Sequence, residues 1–170
     1  MTAAIGLLAT AWWQALQPVD IVGETRRGDR AALARLRRCA TVNDAVFDEA
    51  THTLCHRLAA GERGLERVAL MAAVLAQVRV NNPALKVARQ IGVPTEGTAK
   101  MSELRFRRLL QADSADEQVT GFRRLVALAG RELNVADLAQ GLWRWDDADR
   151  RRWVYAYYDA PSFSTPSQAP

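Results

Sequence analysis

Cysteine is scarce in this 170-residue chain, which has only Cys39 and Cys55. Two thiols cannot form the disulfide framework of a small secreted domain, so a reducing, cytoplasmic setting is expected, with both thiols as ordinary buried residues of helices. No apolar run reaches the roughly 18–20 residues needed to cross a bilayer, and residues 1–16 have neither the basic start nor the small-residue cleavage site of a signal peptide. A membrane association is therefore not expected. Missing too are a glycine-rich phosphate loop, a nucleophile elbow, an HExxH and a CxxC. The chain thus lacks the signatures of the common nucleotide-dependent, hydrolytic and redox enzymes, and neither a cofactor nor a small-molecule substrate is expected. Lysine is almost absent: of 23 basic residues only Lys86 and Lys100 are lysines, and the rest are arginines.

What is abundant is alanine, leucine and a three-to-four-residue apolar rhythm, with 49% hydrophobic and 25% charged residues. This pattern predicts an all-α fold. Helices are expected over about 4–16, 31–39, 44–59 and 65–79, with a turn at 61–64, a break at Asn81-Asn82-Pro83 and one further turn of helix over 84–90. Gly92, Pro94 and Gly97 mark a linker over 92–99. Beyond it, Ser102 caps a helix to about Ala112, another covers 116–131, Asn134 caps a third, and Asp146 or Asp147 opens a last one ending near Tyr158. The expected layout is an N-terminal bundle (1–91), a C-terminal bundle (100–159) packed end to end with it, and a disordered Ser/Pro tail (160–170).

Two clusters offer chemistry. His52, Cys55 and His56 lie on or beside one helix face, where two or three metal ligands converge, but a tetrahedral structural site wants four, and a packed cysteine between exposed histidines explains the same spacing. Asp146, Asp147 and Asp149 are paired carboxylates, yet acids at a helix start are what the helix dipole favours. No convergent catalytic set emerges, and no enzymatic activity is expected.

The arginines are the more informative feature. The net charge is +4 and the sequence pI about 9.6. Arg37 and Arg38 end the second helix, where they oppose its dipole, but Arg26, Arg27 and Arg30 precede them with only Glu24 and Asp29 as offset. In the helix from Lys100, an inward face of Phe106, Leu109 and Leu110 leaves Lys100, Arg107 and Arg108 projecting from the far side. Arg105 falls between Met101 and Leu109, at the edge of the apolar stripe, where a phosphate contact, a snorkelling side chain or a salt bridge to Glu103 or Asp116 are the available readings. Arg123 and Arg124 diverge on the next helix, so at most one shares a surface with Arg105 and Arg108, and the other is expected in an internal ion pair. Arg150, Arg151 and Arg152 follow the acidic cluster, with Asp146–Arg150 as an i,i+4 pair. Aromatic residues are not interleaved with these arginines, which favours contact with nucleic-acid backbone over base readout.

The order of the motifs resembles a known family. Trp12-Trp13-Gln14-Ala15-Leu16 precedes Gly28-Asp29-Arg30-Ala31 and Leu36-Arg37-Arg38. Then come Met101 to Ala112 (MSELRFRRLLQA), Phe122-Arg123-Arg124-Leu125-Val126, Leu133 to Ala139 (LNVADLA), Leu142-Trp143-Arg144-Trp145 and Arg152 to Tyr158 (RWVYAYY). Nearly the whole chain to Tyr158 is similar to CasB, the small subunit of the type I-E CRISPR surveillance complex, Cascade. The resemblance implies two helical bundle domains and no enzymatic activity. It also implies a second copy lying head-to-tail, contacts with the backbone and large subunits, and a basic surface that stabilises the R-loop formed by guide RNA and target DNA, tracking the displaced non-target strand. Carried over, its arginines fall on Arg38, Arg105, Arg123 and Arg124, while Asp146 and Asp147 replace basic residues found in some members. The rival readings are a helical interaction module of another assembly and a small metal-dependent enzyme built on His52, Cys55 and His56.

Overall fold

The computed structural model describes residues 2–21, 24–26, 28–93 and 98–158. The Ser/Pro tail, Arg27, the side chain of Arg26 and the centre of the expected linker lie outside the described residues.

The chain opens with α1 (Thr2–Leu16), followed by the antiparallel pair β1 (Val19–Ile21) and β2 (Glu24–Arg26). Asp29 accepts the Ala32 N–H and starts α2 (Arg30–Arg38) as expected for an N-cap. The single helix expected over 44–59 is instead two, α3 (Val42–Val46) and α4 (Glu49–Arg57). Asp48 explains the break. It caps α4 through the Ala50 N–H and receives Arg35 Nε at 2.7 Å, so tertiary and capping bonds together outweigh helix continuity. Next, α5 (Gly61–Leu75) begins four residues before the expected start, because Ala59 adopts a left-handed backbone (φ 48°) and completes the turn before Gly61.

A two-residue strand, β3 (Val80–Asn81), pairs in parallel with β4 (Glu132–Leu133), which lies between α8 (Ala115–Leu128) and α9 (Val135–Arg144). Between β3 and α8 come α6 (Val87–Ile91) and α7 (Glu103–Leu110), and α10 (Asp147–Tyr158) closes the described fold. The all-α expectation holds, with these short strand pairs as its only departures among the described residues.

Helix α5 is the hub. Val68 to Ala76 are all fully buried, and the helix packs against α2, α3, α4, α8 and α9. Helix α1 lies along α9, and α6 against α10. One hydrophobic cluster therefore runs from Ala9 and Trp12 to Trp153 and Tyr157, and the expected division into two bundles is not confirmed by this packing. Gly92, placed in the expected linker, is buried, and a Cβ there would sit 2.3 Å from the Tyr157 carbonyl oxygen. Only glycine permits that approach. The final helices close over an aromatic group in which Phe122, Trp145 and Trp153 meet edge to face and Phe106 stacks on Tyr157 at 4.1 Å. The Tyr157 hydroxyl donates to the Met101 carbonyl at 2.6 Å, tying α10 to the entry of α7.

Candidate nucleic-acid interface

Helices α7 and α8 face each other across a groove of about 870 Å³. Phe106 and Leu109 turn inward from α7 and Phe122, Leu125 and Val126 from α8, which fixes both helices and leaves their adjoining edges to line the groove. On α7 those edge positions are Arg105, Arg108 and Leu109, and on α8 they include Gly121, Arg124 and Ala127. Three guanidinium groups from two helices thus converge on one concave surface. All three residues are exposed and none has a hydrogen-bond or ion-pair partner among the described residues.

Asp116 and Glu117 also line the groove, at the first turn of α8. Their carboxylates are engaged by backbone rather than by the arginines. Asp116 Oδ1 accepts the Val42 N–H at 2.8 Å, and Glu117 accepts the Ser114 N–H while the Ser114 hydroxyl accepts the Glu117 N–H, a capping box. Bonds to Ser114, from backbone first and side chain second, hold the Glu117 carboxyl below its ordinary range.

The other candidate residues are placed differently. Lys100 and Arg38 are exposed without a partner among the described residues, Lys100 just ahead of α7 and Arg38 at the end of α2. Arg107 turns to Glu103, at 2.6 Å, an i,i+4 pair that takes the only acid of α7 away from Arg105. Arg37 is half-buried and donates through Nε to the Ala76 carbonyl at 2.7 Å. Desolvation, then the neighbouring charges of Arg79 and Arg131, lower its proton affinity.

Arg123 and Arg124 diverge as expected, and Arg124 is the one that shares a surface with Arg105 and Arg108. The internal ion pair expected for the other is not formed. Arg123 is half-buried and donates to the carbonyls of Leu36, Cys39 and Ala73, so it closes the C-terminal turns of α2 and α5 instead. No acid follows it inward. Ser102 precedes α7 in the cap position, but its side chain makes no capping bond.

The acidic cluster is structural. Asp146 accepts the Asp149 N–H at 2.9 Å and pairs with Arg144, not with Arg150 as expected. Arg150 lies nearest Asp113 and Asp147, at 3.5 and 3.7 Å. Buried Asp149 is held between Arg144 and Arg152. His52 and His56 are exposed, and both thiols are half-buried rather than buried, with Cys55 Sγ directed at the Gly61 carbonyl. Among the described residues no three His, Cys, Asp or Glu side chains gather as metal ligands. No described helix is long and apolar enough to cross a membrane.

Residues 32–158, most of the chain, match the family described as CRISPR-associated protein Cse2. The chain belongs to this family. Among solved structures, a chain of the E. coli Cascade bound to a PAM-containing dsDNA target with a 32-nt spacer is similar in fold, with a TM-score of 0.60 over 88% of this chain and 93% of that one. Sequence identity in that match is 18%, so the likeness carries the fold and leaves residue roles to be argued from this chain. No curated protein matches the sequence. Membership of the Cse2 family agrees with the resemblance to CasB drawn from the order of the arginine and tryptophan motifs.

Proposed function

We propose that this protein is a non-catalytic subunit of a type I-E CRISPR surveillance complex that holds nucleic-acid backbone in the α7/α8 groove and so stabilises the R-loop. The observation that carries this is the convergence of Arg105, Arg108 and Arg124 on one groove without an acidic partner among the described residues. A guanidinium matches phosphate oxygens in geometry, stays charged at any physiological pH, and releases condensed counterions when it binds. Three such groups suit an anionic polymer.

The energetics fit the role. R-loop formation exchanges one duplex for another of similar stability, so a few sequence-independent phosphate contacts tip the balance. Among the described residues no aromatic side chain lines the groove, which supports backbone contact with the displaced non-target strand and the flanking target strand over base reading. Lys100, just ahead of α7, adds to the cationic surface. Membership of the Cse2 family, and the fold shared with a chain of a DNA-bound Cascade, support the other subunits of such a complex as its partners, and the resemblance to CasB adds the backbone and large subunits and a second copy of this chain.

The test uses a type I-E complex assembled without its small subunit. Addition of this chain is expected to restore an open R-loop, read as single-strand reactivity of the displaced strand. The Arg105→Gln, Arg108→Gln, Arg124→Gln variant should join the complex without restoring it. Full restoration by that variant would mean that the groove arginines are not needed to hold the R-loop and that the mechanism is wrong.

A further inference from the structure

A second cationic site lies away from the groove, where three helices end together. The C-terminus of α2 meets that of α5 through Arg37 Nε on the Ala76 carbonyl, at 2.7 Å, and Gln77 Nε2 on the Arg37 carbonyl, at 3.3 Å. The chain beyond α8 joins them through Arg131 Nη1 on Gln77 Oε1, at 3.3 Å, and the Arg79 N–H on the Arg131 carbonyl, at 2.8 Å. Five arginines belong to this junction: Arg37, Arg38, Arg79, Arg123 and Arg131.

Capping accounts for only part of that charge. Three helix C-termini together present roughly −1.5 elementary charges, well short of five guanidinium groups. Arg37 and Arg123 are half-buried and committed to carbonyls, whereas Arg38 and Arg79 are exposed with no side-chain partner among the described residues. No carboxylate pairs with any of the five among the described residues. The nearest acid in sequence, Glu132, accepts instead from Asn82 Nδ2 at 2.7 Å. Arg131 also keeps a left-handed backbone (φ 62°), a conformation that costs a non-glycine residue. The mutual repulsion registers on Arg37, whose proton affinity is lowered by Arg79 and Arg131 after desolvation. A site with surplus positive charge and no internal counter-ion is built for an anion from outside.

We infer that Arg79 and Arg131, backed by Arg37 and Arg38, form a second phosphate-binding site for a single nucleic-acid strand. This rests on the reading of the chain as a nucleic-acid backbone binder and adds a position to it. A strand is favoured over an acidic protein because Val80 is the only exposed large apolar residue in the 79–81 and 131–133 segments, so the junction lacks the apolar anchors that centre a protein interface. Helix α8 connects the two sites, since Arg124 enters the groove while its neighbour Arg123 reaches the junction.

The test is the salt dependence of binding of the full chain to a fluorescent oligothymidine single strand. The Arg79→Gln, Arg131→Asn variant is expected to lower the slope of log affinity against log salt by about 1.4, the value for two lost phosphate contacts on a single strand. Asparagine at 131 tolerates the left-handed backbone. The Tm of the free variant should hold or rise, because like charges have been removed. An unchanged slope overturns the inference, whether or not Tm falls, and a fall in Tm then assigns the pair to folding. The groove variant separates the two ideas. Loss in the groove variant alone overturns the second site and leaves the proposed function standing. Loss in the junction variant alone supports the second site and removes the groove from it. If polyglutamate binds as tightly as the oligonucleotide and that binding is lost in the junction variant, the junction is a protein site and the inference is wrong.

Discussion

Two arginine-rich regions look alike in composition and behave as opposites. At the start of α10, Arg144, Arg150 and Arg152 each face an aspartate, and buried Asp149 sits between two of them. Across the α7/α8 groove, Arg105, Arg108 and Arg124 face open space. The difference comes from the spacing of acids. In α10 the aspartates precede two of the arginines by three residues, as in Asp147–Arg150 and Asp149–Arg152, so both are neutralised within the helix and Arg151 alone of its arginines is left without an acid among the described residues. In α7 the single acid, Glu103, stands four residues before Arg107 and engages that one alone. Arginine content therefore does not identify a binding surface. The proposed surface rests instead on arginines that local pairing leaves over and that converge, as Arg105, Arg108 and Arg124 do.

The contrast can be broken most severely at Asp149. Asp149→Ala leaves Arg144 and Arg152 facing each other over a buried hole, and a loss of about 2–3 kcal/mol is expected, read as a lower Tm, while DNA binding is retained. An unchanged Tm would show that α10 does not depend on its internal pairs. The reverse pattern is expected in the groove. Replacing Arg105, Arg108 and Arg124 by glutamine should leave Tm unchanged and weaken target binding at physiological salt by roughly tenfold or more. Equal losses of fold and binding in both variants would erase the distinction.

Acid should act on the helix starts and spare the groove arginines. Asp44, Glu117 and Asp146 are held below the ordinary carboxylate range, chiefly by backbone bonds at helix starts. A folded-state pKa below the unfolded one means stability that is present above the unfolded value and lost as pH falls through the folded one. Unfolding is therefore expected to set in below about pH 4, and Asp44→Asn, Glu117→Gln and Asp146→Asn together should flatten that dependence. The groove arginines do not titrate in this window, so a dip in DNA affinity between pH 5 and pH 8 would contradict the account. The smallest effect is expected at Glu103→Gln, which releases Arg107 at a cost of about 0.3–0.5 kcal/mol and adds one free cation beside the groove. A slightly steeper salt dependence is the outcome to look for.

Much of this was legible in sequence because it is local. Caps at Asp29 and Asn134, the acidic opening of α10 and the divergence of Arg123 from Arg124 follow from helical geometry and side-chain chemistry within a few residues. What could not be read depends on distant partners. Asp48 breaks the helix expected over 44–59 partly by receiving Arg35 from another helix, although an aspartate before a glutamate was a capping signal in its own right. Whichever of Arg123 and Arg124 turns away from the groove is expected to meet an acid, but what lies opposite Arg123 is the carbonyl ends of two helices, which no residue pattern announces. Asn81 and Leu133 pair in a two-residue parallel ladder too short to leave any alternation. Arg79 and Arg131, 52 positions apart, adjoin only because that ladder brings their segments together.

The most direct test of the central claim is the salt dependence of target-DNA affinity in a complete surveillance complex, carrying either this chain or its groove triple variant. The account expects the variant's plot of log affinity against log salt to be shallower by about 2, roughly 0.7 for each lost contact to a single strand, and equally so for unrelated target sequences. An unchanged slope, or a loss confined to particular targets, would show that Arg105, Arg108 and Arg124 do not hold the backbone.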